Sequence, residues 1–521
     1  MEQKQTHPPL LTEAFSDWLA NLFRANRLPF LASLIWGALA YMFAFTNKLI
    51  NHDEVGQLFG KGATVSSGRW GLGFLDAVFP NVSMPWIYGV MTVVLIAIAV
   101  CLMVHLFTIR NKVIQVLLAG AVMVFPSLIG VFGYMFTSTC YALSFLLAVL
   151  AAWIICRPCK LAFLPAFCCM VASLSIYQSY ISVAACLLVL VLIQQLLTGE
   201  EPVSVLKKGI GYVLFLIFSL AGYYIATQFV LTIKNVSFND YAAGSISLSP
   251  SHLLEGIMLA YVNFLRFFSW AHHRLMPTAL SRLLHVLLLA AIGILLLLWA
   301  VKQEKPQALR FLLLTILIGI LPLSINCMYL ITSESSIHTL VLYSFVSVYI
   351  LAAIVADYWM PEPLFRKFPE LLRRLALDGM ALALAAIVIV NVYTANTAYL
   401  TLHLRYENAY SFYSSLTAQI RQIPEFREGT RIAVVGDWQS PDFYREQLEF
   451  TDYLTGVKGF LPSDYSADAF MKYYIGFPAE FVSYEEAAAI RQSEQFRNME
   501  TYPYYGSIAV LDDVIVVKLS E

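Results

Sequence analysis

The sequence contains little charge. Asp, Glu, Lys and Arg make up 13% of its 521 residues, about half of the share that is usual in soluble proteins. Hydrophobic residues reach 59%, and the mean hydropathy is +0.69. Such scarcity of charge excludes a disordered chain, a nucleic-acid-binding protein and an ordinary cytosolic enzyme. The composition is that of a polytopic α-helical membrane protein.

Cysteine is scarce as well, and it is unevenly distributed. All eight cysteines lie in or beside apolar runs, and residues 396–521 contain none. A disulfide framework needs cysteines in exported segments, so the sequence does not predict one. Cys156 and Cys159 have the C-x-x-C spacing of metal and redox sites, but no second pair accompanies them, which favours a packing role.

Long apolar runs account for most of the chain. A membrane-spanning helix needs about 20 apolar residues, and eleven runs are predicted to span. The segment 252–270 mixes apolar residues with Glu255 and Arg266, and is predicted to be an amphipathic helix lying in the membrane interface. The predicted spans are 29–47, 86–108, 113–131, 134–155, 161–177, 180–197, 209–231, 283–301, 310–330, 338–359 and 375–395.

Charge divides the chain near residue 395. Residues 1–395 carry 23 Lys and Arg against 16 Asp and Glu, whereas residues 396–521 carry 10 against 18. We predict a cytoplasmic N-terminal segment with an amphipathic helix (1–28), a multi-span membrane domain (29–395) and an extracytoplasmic α/β domain (396–521). With the N-terminus inside, 16 of the 23 basic residues fall in cytoplasmic loops, as the positive-inside rule requires.

The first exterior loop, 48–85, contains adjacent carboxylates, Asp53 and Glu54, directly after the first span. Such a pair serves as a general base or metal ligand, or simply begins a solvated loop. A glycine-rich stretch with Arg69 follows. It is either a flexible connection or a backbone that approaches an anionic ligand, with Arg69 supplying charge.

The second exterior loop, 232–281, contains Arg266, His272, His273 and Arg274. Metal binding by the two histidines would need more ligands, so interface anchoring is the simpler interpretation. Contact of Arg266 or Arg274 with a lipid phosphate is the alternative.

Tyr177 and Gln178 interrupt an apolar run near the exterior face. Polar side chains at membrane depth usually face the protein interior or a wet cavity. The Tyr/Gln cluster therefore either hydrogen-bonds sugar hydroxyls or forms a turn. Glu334 and His338, at the next exterior turn, are weaker candidates.

The C-terminal part shows alternating helix and strand signals. Residues 396–428 have helical spacing, and 431–436 is a strand candidate. Helices are predicted near 466–474 and 484–492, and 507–518 is predicted to form a hairpin with a two-residue polar turn.

Several short motifs together carry a family resemblance. They are Asn51-His52-Asp53-Glu54, Ser66-Ser67-Gly68-Arg69-Trp70-Gly71, Ser175-Ile176-Tyr177-Gln178-Ser179-Tyr180 and the closing Gly506-Ser507-Ile508 with Val516-Val517-Lys518-Leu519-Ser520. In this order they resemble the bacterial membrane glucosyl transferases of the O-antigen-modifying (serotype-converting) type. The resemblance implies a GT-C-like fold with catalytic carboxylates in the first exterior loop, where Asp53 matches the acidic position and Glu54 is adjacent.

The resemblance also implies a reaction. The sugar, glucose, would move from a polyprenyl-phosphate donor to a surface glycan on the outer face of the bacterial cytoplasmic (inner) membrane. A carboxylate would act as general base, and Arg69, Arg266 or Arg274 would stabilise the departing phosphate. No cofactor is required, although two adjacent acids allow Mg²⁺ or Mn²⁺. A transporter or flippase of a lipid-linked glycan and a non-catalytic envelope scaffold are the alternatives.

Overall fold

The structure of the chain is a computed structural model. It describes residues 12–13, 16–17, 20, 24, 26–60, 62, 64–75, 78, 82–159, 161–239, 249–268, 278–303, 308–334, 337–360, 368–438, 451, 453–457 and 466–520. Most of the amphipathic helix predicted in residues 1–28 lies outside the described residues.

Helices make up the membrane body. Among the described residues, 3-10 helices at Gln178–Tyr180, Cys327–Leu330 and Thr339–Val346 supplement the α-helices. The α-helices are α1 (Arg27–Thr46), α2 (His52–Gly56), α3 (Trp70–Leu75), α4 (Pro85–Leu106), α5 (Lys112–Met123), α6 (Pro126–Gly133), α7 (Met135–Ile155), α8 (Phe163–Ile176), α9 (Ile181–Leu197), α10 (Pro202–Lys234), α11 (Pro250–Phe268), α12 (Ala279–Lys302), α13 (Ala308–Ile325), α14 (Ser347–Trp359) and α15 (Phe368–Ile420).

The polytopic helical fold is confirmed, although fewer helices than the eleven predicted have the length of a full span. Within the described residues nine helices are long and apolar enough to span a membrane, or ten if α5 and α6 form one bent span. These two helices meet at 43°, because Phe125 before Pro126 is extended and ends the first of them. The predicted span 161–177 is the 14-residue helix α8, which is short for a span.

Contacts between loops define two ends of the helix bundle. At one end the backbone N–H groups of Arg110 and Asn111 donate to Asp357, and Arg310 donates to the carbonyl of Gly199. At the other end the loop between α1 and α4, which we call the first loop (47–84), contacts Gln178. Helix α8 joins these two ends despite its length, so the longer helices α7 and α9 on either side of it both begin at the end that holds the first loop.

Helix α11 has nearly the same bounds as the segment 252–270, which was predicted to be an amphipathic helix. It presents exposed apolar side chains, among them Leu254 and Leu265, and buries Ala260 and Phe267 on another face. Asn326 donates to the Ala260 carbonyl and Tyr261 donates to that of Gly319, so the buried face packs on the end of α13. This two-sided character is that of a helix that contacts both protein and lipid.

The C-terminal part contains a small sheet. Its strands, β1 (Arg431–Val435), β2 (Glu480–Phe481), β3 (Ile508–Leu511) and β4 (Val514–Lys518), are ordered β2-β1-β4-β3. β1 is parallel to β2 and to β4, whereas β3 and β4 are antiparallel. The accompanying helices are α16 (Ala467–Tyr473), α17 (Tyr484–Gln492) and α18 (Glu494–Arg497).

The predicted hairpin is confirmed. Asp512 and Asp513 form its turn with φ angles of 45° and 64°, the left-handed pair that a two-residue type I′ turn requires. Strand β1 and helices α16 and α17 also match their predicted positions. Helix α15 continues without a break through residue 395, so the predicted domain boundary falls inside a helix, and the division into domains stays a prediction.

The first loop packs on the C-terminal part. Ile50 and Val55 are fully buried in a hydrophobic cluster with Tyr413, Phe470 and Met471. The C-terminal core therefore includes side chains that flank Asp53 on either side in the sequence.

Candidate functional site

A cavity of about 520 Å³ lies at the end of the bundle that holds the first loop. The chain reaches it from widely separated segments: the first loop, the start of α7, the break before α9, and residues beyond α10 and α13. The lining residues are Asp53, Gln57, Gly62, Ser67, Arg69, Tyr134, Phe136, Thr137, Tyr141, Tyr177, Asn239, His338, Leu340 and Thr455.

Asp53 faces this cavity from the short helix α2. Asn51 precedes the helix, and its side-chain oxygen accepts from the backbone N–H groups of Asp53 and Glu54 at 2.9 and 2.8 Å. This is an N-cap, which stabilises a helix start by roughly 1 kcal/mol. The Asn51 amide also donates to the Gly133 carbonyl at 2.6 Å. Asp53 is thus fixed to the membrane body, yet its side chain remains 43% exposed.

Glu54 occupies a different environment. Its side chain is fully buried and forms an ion pair with Lys48. Ser83 donates to the same carboxylate oxygen, and the Phe136 backbone N–H donates to the other at 3.2 Å. Burial raises the pKa of the neighbouring Tyr474, and the charge of Glu54 raises it further. The two predicted catalytic carboxylates are therefore separated: Asp53 lines the cavity, whereas Glu54 fastens the first loop.

Arg69 contributes a positive charge to the cavity. Its Nη1 donates to the Tyr141 hydroxyl at 3.1 Å, and its guanidinium carbon lies 5.4 Å from the Tyr177 ring centroid. The rings of Tyr141 and Tyr177 stack with their centroids 4.5 Å apart. The Tyr177 ring holds the guanidinium in one orientation. Its permanent positive charge and fixed orientation suit binding of a phosphate.

Gln178 holds the glycine-rich stretch. Its side-chain amide donates to the Ser67 carbonyl at 3.2 Å and to the Tyr223 hydroxyl at 2.9 Å, and Tyr223 in turn donates to the Gly68 carbonyl. Gln178 does not line the cavity. It connects the first loop to helix α10 and so supports the adjacent Arg69.

Among the described residues, none of the predicted binding residues of the second exterior loop lines the cavity. Arg266 lies 3.6 Å from Glu334 and does not line the cavity. His272, His273 and Arg274 lie outside the described residues. His338, a weaker candidate in the sequence, does line it.

Several lining residues were missed by sequence reasoning. Tyr134, Thr137 and Tyr141 lie within a predicted span, where they looked like ordinary membrane core. Their i, i+3, i+7 spacing places them on one face of a helix, and this polar face in an apolar run was the available signal. Thr455 lies in the C-terminal part, and no feature of the sequence pointed to it.

The described residues do not fit the metal site that two adjacent acids suggested. Both oxygens of Glu54 are engaged by protein donors, and its ion pair with Lys48 already balances its charge. Among the residues that the structure describes, no group of three or more His, Cys, Asp or Glu is placed to hold a metal ion. Ca²⁺ and Mg²⁺ prefer several oxygen ligands, which Asp53 alone does not supply.

The fold and cavity define a multi-pass helical membrane protein with a polar site at one end of its bundle. A comparison with protein-family models matches residues 42–351 to the family described as Glucosyl transferase GtrII. The match covers more than half of the chain, so the chain belongs to this family and is a membrane glucosyltransferase. Searches of curated proteins and of solved structures return no significant match.

The matched residues include most of the cavity. Asp53, Arg69, Tyr141 and Tyr177 all lie within 42–351, whereas Thr455 lies beyond it. The family match therefore spans the charged part of the site.

Proposed function

We propose that the protein transfers glucose from a polyprenyl-phosphate donor to a surface glycan at the outer face of the bacterial cytoplasmic (inner) membrane. The observation that carries this proposal is the pairing, in one cavity, of a partly exposed carboxylate, Asp53, with a held guanidinium, Arg69. Displacement of a phosphate by a hydroxyl needs both a base and a cation.

In this proposal the Asp53 carboxylate accepts the proton of the acceptor hydroxyl as its oxygen attacks the anomeric carbon of glucose. The bond from that carbon to the phosphate oxygen breaks, and polyprenyl phosphate leaves with the electron pair. Arg69 stabilises the negative charge that develops on the phosphate. A single direct displacement inverts the configuration at the anomeric carbon.

The orientation is part of the same proposal. Basic residues concentrate at the end of the bundle opposite the cavity; they include Arg110, Lys112, Arg157, Lys208 and Arg310. The positive-inside rule then puts the cavity and the C-terminal part outside, and the N-terminus in the cytoplasm. A donor anchored in the outer leaflet by its polyprenyl chain would present its phosphate at the level of the cavity.

The test uses purified protein in liposomes with radiolabelled glucose carried either by polyprenyl phosphate or by a nucleotide. An envelope glycan fraction serves as acceptor. We expect covalent labelling of glycan and release of polyprenyl phosphate with the first donor only. Transfer from the nucleotide donor alone would refute the proposed donor, and movement of intact donor across the bilayer without any product would indicate a transporter.

A further inference from the structure

One wall of the cavity comes from the C-terminal part of the chain. Among the described lining residues, Thr455 is the one that lies beyond residue 395. It belongs to the short segment 453–457, which we call the wall segment. Leu454 and Val457 of this segment are buried in the hydrophobic core of the membrane body. The C-terminal part thus reaches into the site.

The wall segment is fastened by a pair of threonines. The Thr455 backbone N–H donates to the Thr339 hydroxyl at 2.9 Å. The Thr339 hydroxyl and its backbone N–H donate to the Thr455 hydroxyl at 2.8 and 3.2 Å. Since the Thr455 oxygen accepts both bonds, its own O–H proton remains available to donate into the cavity.

The conformation of Gly456 brings the wall segment close to the first loop. Its φ is +89°, and an added Cβ would lie 2.8 Å from the Tyr134 ring and 3.3 Å from the Asn51 amide. The Val457 carbonyl accepts from Arg405 of helix α15. The wall segment is therefore held beside Asn51, the residue that caps the Asp53 helix.

Charge distinguishes the two sides of the cavity. Arg69 supplies the cation beside helices of the membrane body, whereas the wall segment contributes the uncharged Thr455 to the lining. Neutral hydroxyls from Thr455, Thr137 and Tyr134 suit the hydroxyls of a sugar instead.

We propose that the wall segment forms the acceptor side of the cavity and that Thr455 is a specificity-determining residue that hydrogen-bonds a hydroxyl of the acceptor sugar. This inference rests on the proposed function and goes beyond it, because it assigns the acceptor to a surface built by the C-terminal part.

The experiment compares Thr455→Val, which keeps the shape but removes the hydroxyl, with Thr455→Ser, which retains it. Thr397→Val is the matched control, because the Thr397 hydroxyl donates to the Tyr393 carbonyl of its own helix and does not line the cavity. Release of polyprenyl phosphate is measured without acceptor, when water takes the glucose, and against increasing amounts of an envelope glycan fraction.

We expect Thr455→Val to need about tenfold more acceptor for half-maximal release, the effect of losing one hydrogen bond. Its release to water should equal that of the wild type, Thr455→Ser should behave like the wild type, and Thr397→Val should keep the acceptor dependence of the wild type.

Three results would overturn the inference while leaving the proposed function standing. They are an unchanged acceptor dependence in Thr455→Val, an equal fall of release to water and to acceptor in that variant, and a shift in Thr397→Val as large as that in Thr455→Val. A wild-type protein that releases no polyprenyl phosphate under any condition would instead remove the proposed function, and this inference with it.

Discussion

The Lys48 ammonium forms an ion pair with the carboxylate of Glu54, the residue next to Asp53 in the sequence. Ser83 donates a hydrogen bond to the same Glu54 oxygen that Lys48 contacts. Lys48 follows α1, and Ser83 precedes α4. The pair therefore ties both ends of the first loop to the helix that carries Asp53. Glu54 therefore holds the first loop in place, whereas Asp53, which lines the cavity, is the carboxylate that we propose as the base.

Glu54→Gln should destabilise the protein, because it leaves Lys48 without its counter-charge in a mostly buried position. Breaking a buried ion pair costs roughly 3–5 kcal/mol, and the 26% exposure of Lys48 should reduce this. The double variant Lys48→Met with Glu54→Gln should recover part of the loss. Thermal unfolding in detergent measures both effects. A Glu54→Gln protein that is as stable as the wild type but inactive would make Glu54 the reacting group.

Gly68→Ala should strongly impair activity, because this position combines two constraints. Its φ of +72° is unfavourable for alanine, and the added Cβ would lie 2.7 Å from the Tyr223 hydroxyl and 3.1 Å from the Gln178 amide. The change would displace Arg69, the next residue. Gly73→Ala is the matched control, since nothing lies within 4 Å of its Cβ position.

Release of polyprenyl phosphate by both glycine variants, at matched protein concentration, tests this prediction. We expect a large loss for Gly68→Ala and activity close to the wild type for Gly73→Ala. Equal activity of the two variants would contradict the proposal that the Gln178–Tyr223 contacts set the position of Arg69.

Removal of divalent cations should leave the transfer intact. Glu54 is already engaged by Lys48 and Ser83, so Asp53 lacks the second carboxylate that the sequence suggested for a metal site. Release of polyprenyl phosphate is compared before and after treatment with a chelator, with magnesium or manganese added back. A loss that either cation restores would contradict this prediction and would require ligands beyond those described.

Much of the fold could be predicted from the sequence, because membrane spans and hairpins depend on local patterns. The apolar runs gave the helices, and two polar residues between alternating strands gave the turn at Asp512 and Asp513. The span count was less accurate, since hydropathy does not register the bend before Pro126 or the shortness of α8. The parallel pairing of β1 with β4 joins residues about 80 positions apart and left no local signal.

The site was predictable only in part, for a physical reason. Asp53, Arg69 and Tyr177 stand out because polar residues are unusual next to apolar runs, and all three line the cavity. The different environments of Asp53 and Glu54 depend on Lys48 and Ser83, whose approach is set by tertiary packing. Thr455 lies in a segment without a distinguishing sequence pattern, and only the fold brings it to the site.

The central claim is that Asp53 is the base that activates the acceptor. The most direct test compares Asp53→Asn with the wild type and with Asp468→Asn, an exposed aspartate outside the cavity. Each purified protein receives polyprenyl-phosphate-glucose and an envelope glycan fraction, and the release of polyprenyl phosphate is followed. We predict at least a hundredfold loss for Asp53→Asn, with unchanged thermal unfolding and full activity in Asp468→Asn. Full activity of a folded Asp53→Asn protein would contradict the account.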